Sequence, residues 1–150
     1  MSKHILLARE LAQQYHRGQY DKIGNDYFSS HVEPVANLTR SWGGTEYQVT
    51  AAYLHDLVED TPVTIEYLES RFPLPVVHIV DRLTKPKGME YQTFIAEIIK
   101  FEPAVLVKLA DITSNMDPAR LFYIDSDTRY RLVDKYTTAL PTLWRAYNGR

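Results

Sequence analysis

Apolar residues recur along this chain at intervals of three and four, a period that predicts a protein built from helices. In residues 3–16, Ile5, Leu6, Ala8, Leu11, Ala12 and Tyr15 share one helical face. A polar, glycine-containing loop follows from Gly18 to about Ser30. The pattern resumes near His31 or Val32 and runs to about Trp42, with Pro34 in the first turn, where its missing N–H is tolerated. Gly43-Gly44 interrupts the chain, and Thr45-x-x-Gln48 reads as a capping box opening a helix that Thr61-Pro62 closes. Short helices are expected at about 64–72 and 74–83, separated by Pro73 and Pro75, with Pro86-Lys87-Gly88 as a loop. An amphipathic helix over about 90–101 turns Phe94, Ile95, Ile98 and Ile99 inward. Glu102-Pro103 starts another, through Val105, Leu106, Leu109 and Ala110 to about Met116. The last covers roughly 127–147, with a kink expected at Pro141. No segment sustains period-two alternation, so the expected fold class is all-α.

Composition narrows the picture. At 150 residues, 45% hydrophobic and 24% charged, the chain is long enough for one domain with an ordinary core over 1–150. The net charge of −2 and the scatter of basic residues argue against a nucleic-acid partner, so an anionic ligand must be held by a local pocket. The absence of cysteine excludes disulfides, thiolate nucleophiles and cysteine-based zinc sites. No apolar run is long enough to cross a bilayer, and the start lacks a signal-peptide apolar region, so a cytoplasmic protein without a membrane partner is expected.

The chemistry concentrates in His55-Asp56-x-x-Glu59-Asp60. On one continuous helix, His55 and Glu59, Asp56 and Glu59, and Asp56 and Asp60 would be same-face neighbours. An adjacent His-Asp pair can grip a divalent cation, and two acids one turn on can handle a water beside it, a layout suited to metal-assisted hydrolysis. Further ligands are needed. His31 lies at a loop–helix junction, and Asp111 interrupts an apolar stretch where a carboxylate is costly to bury unless paired or metal-bound. Asp111 can instead pair with Lys108 one turn away. Asn115 shares its face. His31, His55, Asp56 and Asp111 make a mixed imidazole–carboxylate set that favours manganese, iron or another transition divalent ion, manganese first. Lys85, Lys108 and Arg120 are anion-binding candidates by charge. His16 reads as a structural residue holding the loop after the first helix.

These residues resemble the H…HD…D signature of the HD-domain metal-dependent phosphohydrolases. The resemblance is closer still to the hydrolase domain of RelA/SpoT-type alarmone enzymes and their small stand-alone relatives. It is carried by His16-Arg-Gly-Gln19 with Gly24 and Tyr27-x-x-x-His31, by Ala51-Ala-Tyr-Leu-His-Asp-Leu-Val-Glu-Asp-Thr61, by Leu83-Thr-Lys85, and by Val107-Lys-Leu-Ala-Asp111 with Asn115-Met116. The resemblance implies a helical bundle with a metal site between helices and hydrolysis of the 3′-diphosphate of ppGpp or pppGpp, releasing pyrophosphate. It implies manganese on His31, His55, Asp56 and Asp111, and a water oriented or deprotonated by Glu59 and Asp60. It places Asn115 and Lys22 at the nucleotide. The chain departs from the family at Asp21, where an arginine is usual, at Val32 in place of proline, and at Asp117-Pro118-Ala-Arg120 in place of a basic stretch. Asp21 favours an alternative, an HD hydrolase for another nucleotide (a nucleoside monophosphate, a dNTP or NADPH). A nucleotide-binding sensor without turnover is the reading from a different class, opposed by the intact Glu59-Asp60 pair.

Overall fold

The computed structural model describes residues 2–149, and among them every regular element is helical, with one isolated antiparallel bridge between Tyr20 and Asp26. The elements are α1 (Lys3–Tyr15), a π-helical turn (Phe28–Val32), α2 (Glu33–Ser41), α3 (Glu46–Leu54), α4 (Leu57–Asp60), α5 (Ile65–Glu69), α6 (Leu74–Leu83), α7 (Tyr91–Ile98), α8 (Glu102–Asn115), α9 (Pro118–Leu121) and α10 (Ser126–Asn148). The chain is an all-α bundle.

Two helices are enclosed. In α3 every residue from Gln48 to Leu54 is buried, and in α8 every residue from Ala104 to Ile112 is. A helix apolar around its whole circumference is buried on all sides. Here α1, α2, α6 and α8 surround α3, while α2, α3, α6 and α10 surround α8. Amphipathic outer helices bury a stripe each: Ile5, Ala8, Leu11 and Ala12 from α1, and Phe94, Ile95 and Ile98 from α7. Leu6 and Tyr15, expected on the inner face of α1, remain exposed.

The start of α3 is fixed by its capping box: Gln48 N–H donates to Thr45 Oγ1 at 3.1 Å and Thr45 N–H to Gln48 Oε1 at 2.9 Å. The Gln48 amide also donates to the Pro103 carbonyl at 3.0 Å, tying the starts of α3 and α8 together. Gly44 is required here by close approach, since a Cβ would lie 2.7 Å from both Cγ2 and O of Thr39.

Four expectations are corrected. His55-Asp56-x-x-Glu59-Asp60 does not ride one continuous helix: α3 ends at Leu54, and His55 and Asp56 form the step into α4. The cause is local. His55 Nδ1 donates to the Ala52 carbonyl at 2.6 Å, the carbonyl that an unbroken helix would reserve for Asp56 N–H. The helix expected to start at His31 or Val32 is preceded by the π-turn, which holds His31 inside a helical segment. A short helix, α9, stands where none is expected; Pro118 opens it and the Asp117 side chain caps it. The fourth is the exposure of Leu6 and Tyr15 on α1. Pro141 lies inside α10, which runs from Ser126 to Asn148.

Candidate metal centre and adjoining cavities

The break after Leu54 aims two consecutive side chains at the π-turn and α8. One ligand atom each from His31, His55, Asp56 and Asp111 lies within 4.8 Å of the others. His31 Nε2 is 2.9 Å from Asp111 Oδ1 and 3.6 Å from Asp56 Oδ2; His55 Nε2 is 3.0 Å from Asp56 Oδ2 and 3.4 Å from Asp111 Oδ1. Four atoms each about 2.0–2.2 Å from one ion would span such distances.

The donor set fits a divalent cation on a second observation. The Nε2 atoms of both histidines are buried and without a hydrogen-bond partner. In His55 the Ala52 carbonyl can only accept, so Nδ1 carries the proton and Nε2 keeps its lone pair for a ligand. The other nitrogen of His31 rests 3.0 Å from Ser114 Oγ. Tyr27 O–H donates to Asp56 Oδ2 at 2.5 Å, its ring lying between those of His16 and His31. Burial and the Asp56 charge raise the Tyr27 pKa, so the phenol stays a donor.

Electrostatics reflect the crowding. Burial opposes a charge on His55, but the carboxylates of Asp56 and Asp111 outweigh it and hold its pKa well above the ordinary imidazole value. Burial likewise works against Asp56, yet His55 brings its pKa down to about 2. Asp111 is held well below the carboxylate range because Lys108 and both histidines overcome its burial. The pairing with Lys108 that the sequence offers is present, and it uses only one carboxylate oxygen. Oδ2 of Asp111 accepts from Lys108 Nζ at 2.8 Å, while Oδ1 faces the histidines.

The water-handling candidates are fixed from two loops. Glu59 Oε1 accepts the backbone N–H of Lys85, and Asp60 Oδ2 accepts Gln19 Nε2 at 3.1 Å. Gln19 Oε1 in turn accepts from His16 Nδ1 at 2.7 Å, giving His16 its loop-holding role. Both acids reach solvent as residues, but their carboxyl groups sit in cleft walls. There partial desolvation, aided by the nearby Asp56 charge, raises both pKa values.

Two cavities adjoin the cluster. One, of 170 Å³, is lined by His55, Asp56, Glu59, Asp111 and the lysines 85, 108 and 135. The second, of 340 Å³, is lined by Asp60, Lys22 and Arg120 among others; Tyr27, Asn115 and Tyr136 border both. The helix break thus turns Glu59 to one cavity and Asp60 to the other.

The remaining candidates are placed as follows. Asn115 donates to Asp111 Oδ1 at 3.3 Å and accepts from Arg120 Nη1 at 3.4 Å. Arg120 also donates to the Ser30 carbonyl, and its Nε lies 3.7 Å from Asp21 Oδ2. Asp21 Oδ1 caps its own turn through the N–H groups of Ile23 and Asn25. Lys22 is exposed at the mouth of the larger cavity. Lys85 lines the smaller cavity, though its ammonium donates to the carbonyls of Met89 and Pro86. Sequence reasoning missed Lys135, Tyr91 and Tyr136 as cavity walls, and saw Tyr27 only as a spacing to His31. Tyrosines and lysines on amphipathic helices carry no local mark of the cavity they face.

Comparison with known proteins agrees with this geometry. A guanosine-3′,5′-bis(diphosphate) 3′-pyrophosphohydrolase of Haemophilus influenzae is 33% identical over 117 residues, 71% of this chain and 17% of its own length. The bifunctional (p)ppGpp synthase/hydrolase SpoT of Escherichia coli is 28% identical over 125 residues, 76% of this chain and 18% of its own length. The chain therefore spans less than a fifth of these curated relatives. A solved structure, described as a metazoan ortholog of SpoT that hydrolyzes ppGpp and plays a role in starvation responses, superposes with a TM-score of 0.83 at 25% identity, over 95% of this chain and 86% of that one. Residues 8–100, more than half of the chain, match the HD domain family, and the chain belongs to it.

Proposed function

We propose that the chain is one HD-type hydrolase domain over residues 1–150 that cleaves the 3′-diphosphate of ppGpp or pppGpp and releases pyrophosphate. The observation that carries this reading is the convergence of His31, His55, Asp56 and Asp111, with two unpartnered buried Nε2 atoms, beside a cavity holding both acids and lysines. The names of the Haemophilus and metazoan proteins support the same substrate. The four residues would hold the cation, for which manganese is the first choice. When bound, such an ion polarises a phosphoryl oxygen and acidifies water.

The chain's own acids do the rest. Glu59, with Oε1 fixed by Lys85 N–H, leaves Oε2 to take a proton from the attacking water; Asp60, fixed by Gln19 in the wall of the adjoining cavity, orders the water that supplies it. Water adds to the phosphorus next to the ribose 3′ oxygen, that P–O bond breaks, and the 3′ oxygen takes a proton from solvent while Glu59 releases its own to solvent. In this reading Lys85 lends charge to the diphosphate, while Lys22, Asn115 and Arg120 border the nucleoside in the larger cavity. Asp21 borders that cavity too, but its carboxylate is 5% exposed and lies 3.7 Å from Arg120 Nε, whose charge offsets it. No described helix is long and apolar enough to cross a membrane. In this reading the enzyme is cytoplasmic and works on a small nucleotide.

The test is pyrophosphate release from ppGpp in Mn²⁺, with GTP, dNTPs, GMP and NADPH in parallel. Release from ppGpp that Glu59→Ala abolishes, with metal binding kept, is the expected result. Turnover of another nucleotide alone would replace the substrate, and metal binding with no turnover would leave a sensor.

A further inference from the structure

Among the described residues, one cation in the smaller cavity has neither an acid nor a carbonyl at its ammonium. Lys108 is committed to Asp111 at 2.8 Å, and the Lys85 ammonium to two carbonyls of its own loop. Lys135, on α10, is half-buried, and its ammonium meets only aromatic faces: 4.3 Å from the centre of the Tyr91 ring and 5.2 Å from that of Tyr136. Tyr91 carries a second ammonium, Lys108 Nζ, 5.5 Å from its ring centre. Lys135 therefore stands one aromatic layer away from the lysine that grips the metal ligand Asp111. The arrangement is held in place by Gln92, whose side-chain amide donates to the Lys135 carbonyl at 3.2 Å and joins α7 to α10.

A lysine drawn this far out of water with no counter-ion is costly unless something anionic completes it. Burial and then the positive charge of Lys108 make Lys135 give up its proton more readily than an ordinary lysine; the more distant charge of Asp111 opposes this, and Lys22 and Lys85 add to the repulsion. The charge balance agrees. Lys85, Lys108 and Lys135 face Asp56, Glu59 and Asp111 in this cavity, three against three. A divalent cation on the four ligands leaves a surplus of two positive charges, the complement of a phosphoryl dianion. The tyrosine faces restrict the ammonium without using its N–H groups, so all three donors remain available to phosphate oxygens.

We propose that Lys135 is the binding residue for the outer phosphate of the diphosphate group, contacting the oxygens of the phosphorus that is not attacked. This inference rests on the hydrolase reading above and names a residue for the pyrophosphate that water releases from the ribose. A point charge on a phosphate that keeps its charge throughout holds substrate and transition state alike, so its loss raises KM and spares kcat.

The experiment measures inorganic pyrophosphate binding by titration calorimetry, at matched free Mn²⁺, for the parent, Lys135→Met and Lys135→Arg, with KM and kcat on ppGpp alongside. Methionine keeps the apolar stem and removes the charge. The expected result is about tenfold weaker pyrophosphate binding in Lys135→Met and a similar rise in KM. kcat should stay within about threefold of the parent and Mn²⁺ affinity unchanged. Lys135→Arg should recover most of the pyrophosphate affinity. Parental pyrophosphate binding in Lys135→Met overturns the proposal, as does a fall in kcat or Mn²⁺ affinity that arginine does not rescue. The two readings fail separately. Lys135-dependent pyrophosphate binding without turnover of ppGpp keeps this subsite and removes the alarmone, whereas turnover of ppGpp with KM unchanged in Lys135→Met does the reverse.

Discussion

His55 uses its two nitrogens for different ends: Nδ1 breaks a helix by taking the Ala52 carbonyl, and Nε2 is left bare toward the candidate ligands His31, Asp56 and Asp111. Tyr27 is the matching device on the carboxylate side, restraining Asp56 with a 2.5 Å hydrogen bond. Tyr27→Phe removes that bond with little change in shape, and Mn²⁺ affinity should fall by about tenfold or more, read by metal titration, with helix content unchanged. Glu59 is under the opposite tension. Its pKa is raised by partial desolvation and by Asp56, so its ionised form is disfavoured by the fold. A carboxyl whose folded pKa lies above the unfolded value adds stability at low pH and loses it as pH rises through the folded value. At neutral pH, Glu59→Gln should therefore leave the calorimetric unfolding temperature equal to or above the parent's while activity drops by about a hundredfold or more. The same shift sets the acid limb of the parent's pH–rate profile. Activity should fail as pH drops through the apparent pKa values of the Glu59–Asp60 pair, above the usual carboxyl range of about 4.

At the scale of elements, the site is made by interruptions. The step between α3 and α4 and the π-turn before α2 present His55, Asp56 and His31 where an ideal helix would have turned them elsewhere, and Asp111 meets them from the regular interior of α8. Helix boundaries marked by chemistry could be read from residues alone: Thr45 with Gln48, Pro103 at the start of α8, and Pro75 in α6 all stand where expected. Asp111 is legible because a carboxylate in an apolar run is costly, and His55 because it adjoins Asp56 one turn before Glu59 and Asp60. The break at His55 could not be read, since the apolar period runs on through Leu57 and the hydrogen bond that ends the helix comes from a side chain. Short α9 and the π-turn escaped for a related reason, being too brief to establish a period. The α2–α3 corner is correspondingly sensitive. Gly44→Ala should cost about 1–3 kcal/mol in urea unfolding because Thr39 backbone blocks the added methyl. Thr45→Ala should cost about 1 kcal/mol through the lost cap.

For the molecule as a whole, the cluster links stability to proton and metal. In the metal-free chain the raised pKa of His55 adds stability below about pH 6.5, the unfolded value, and that contribution is lost as pH climbs through the folded value. Thermal unfolding in EDTA should therefore weaken from pH 6 toward pH 9. Saturating Mn²⁺ should flatten or reverse that trend, because a cation and the His55 proton compete for one nitrogen. The enclosure of the site carries a consequence for time rather than affinity. His31 is sealed inside the bundle, and His55, Asp56 and Asp111 line the cavity that also holds Lys85, Lys108 and Lys135. Entry is then sequential, cation before nucleotide, and whatever anion fills the cavity closes the exit behind the ion. A chelator has to wait its turn: the rate at which it strips the metal should slow as pyrophosphate is added and recover when the anion is diluted away.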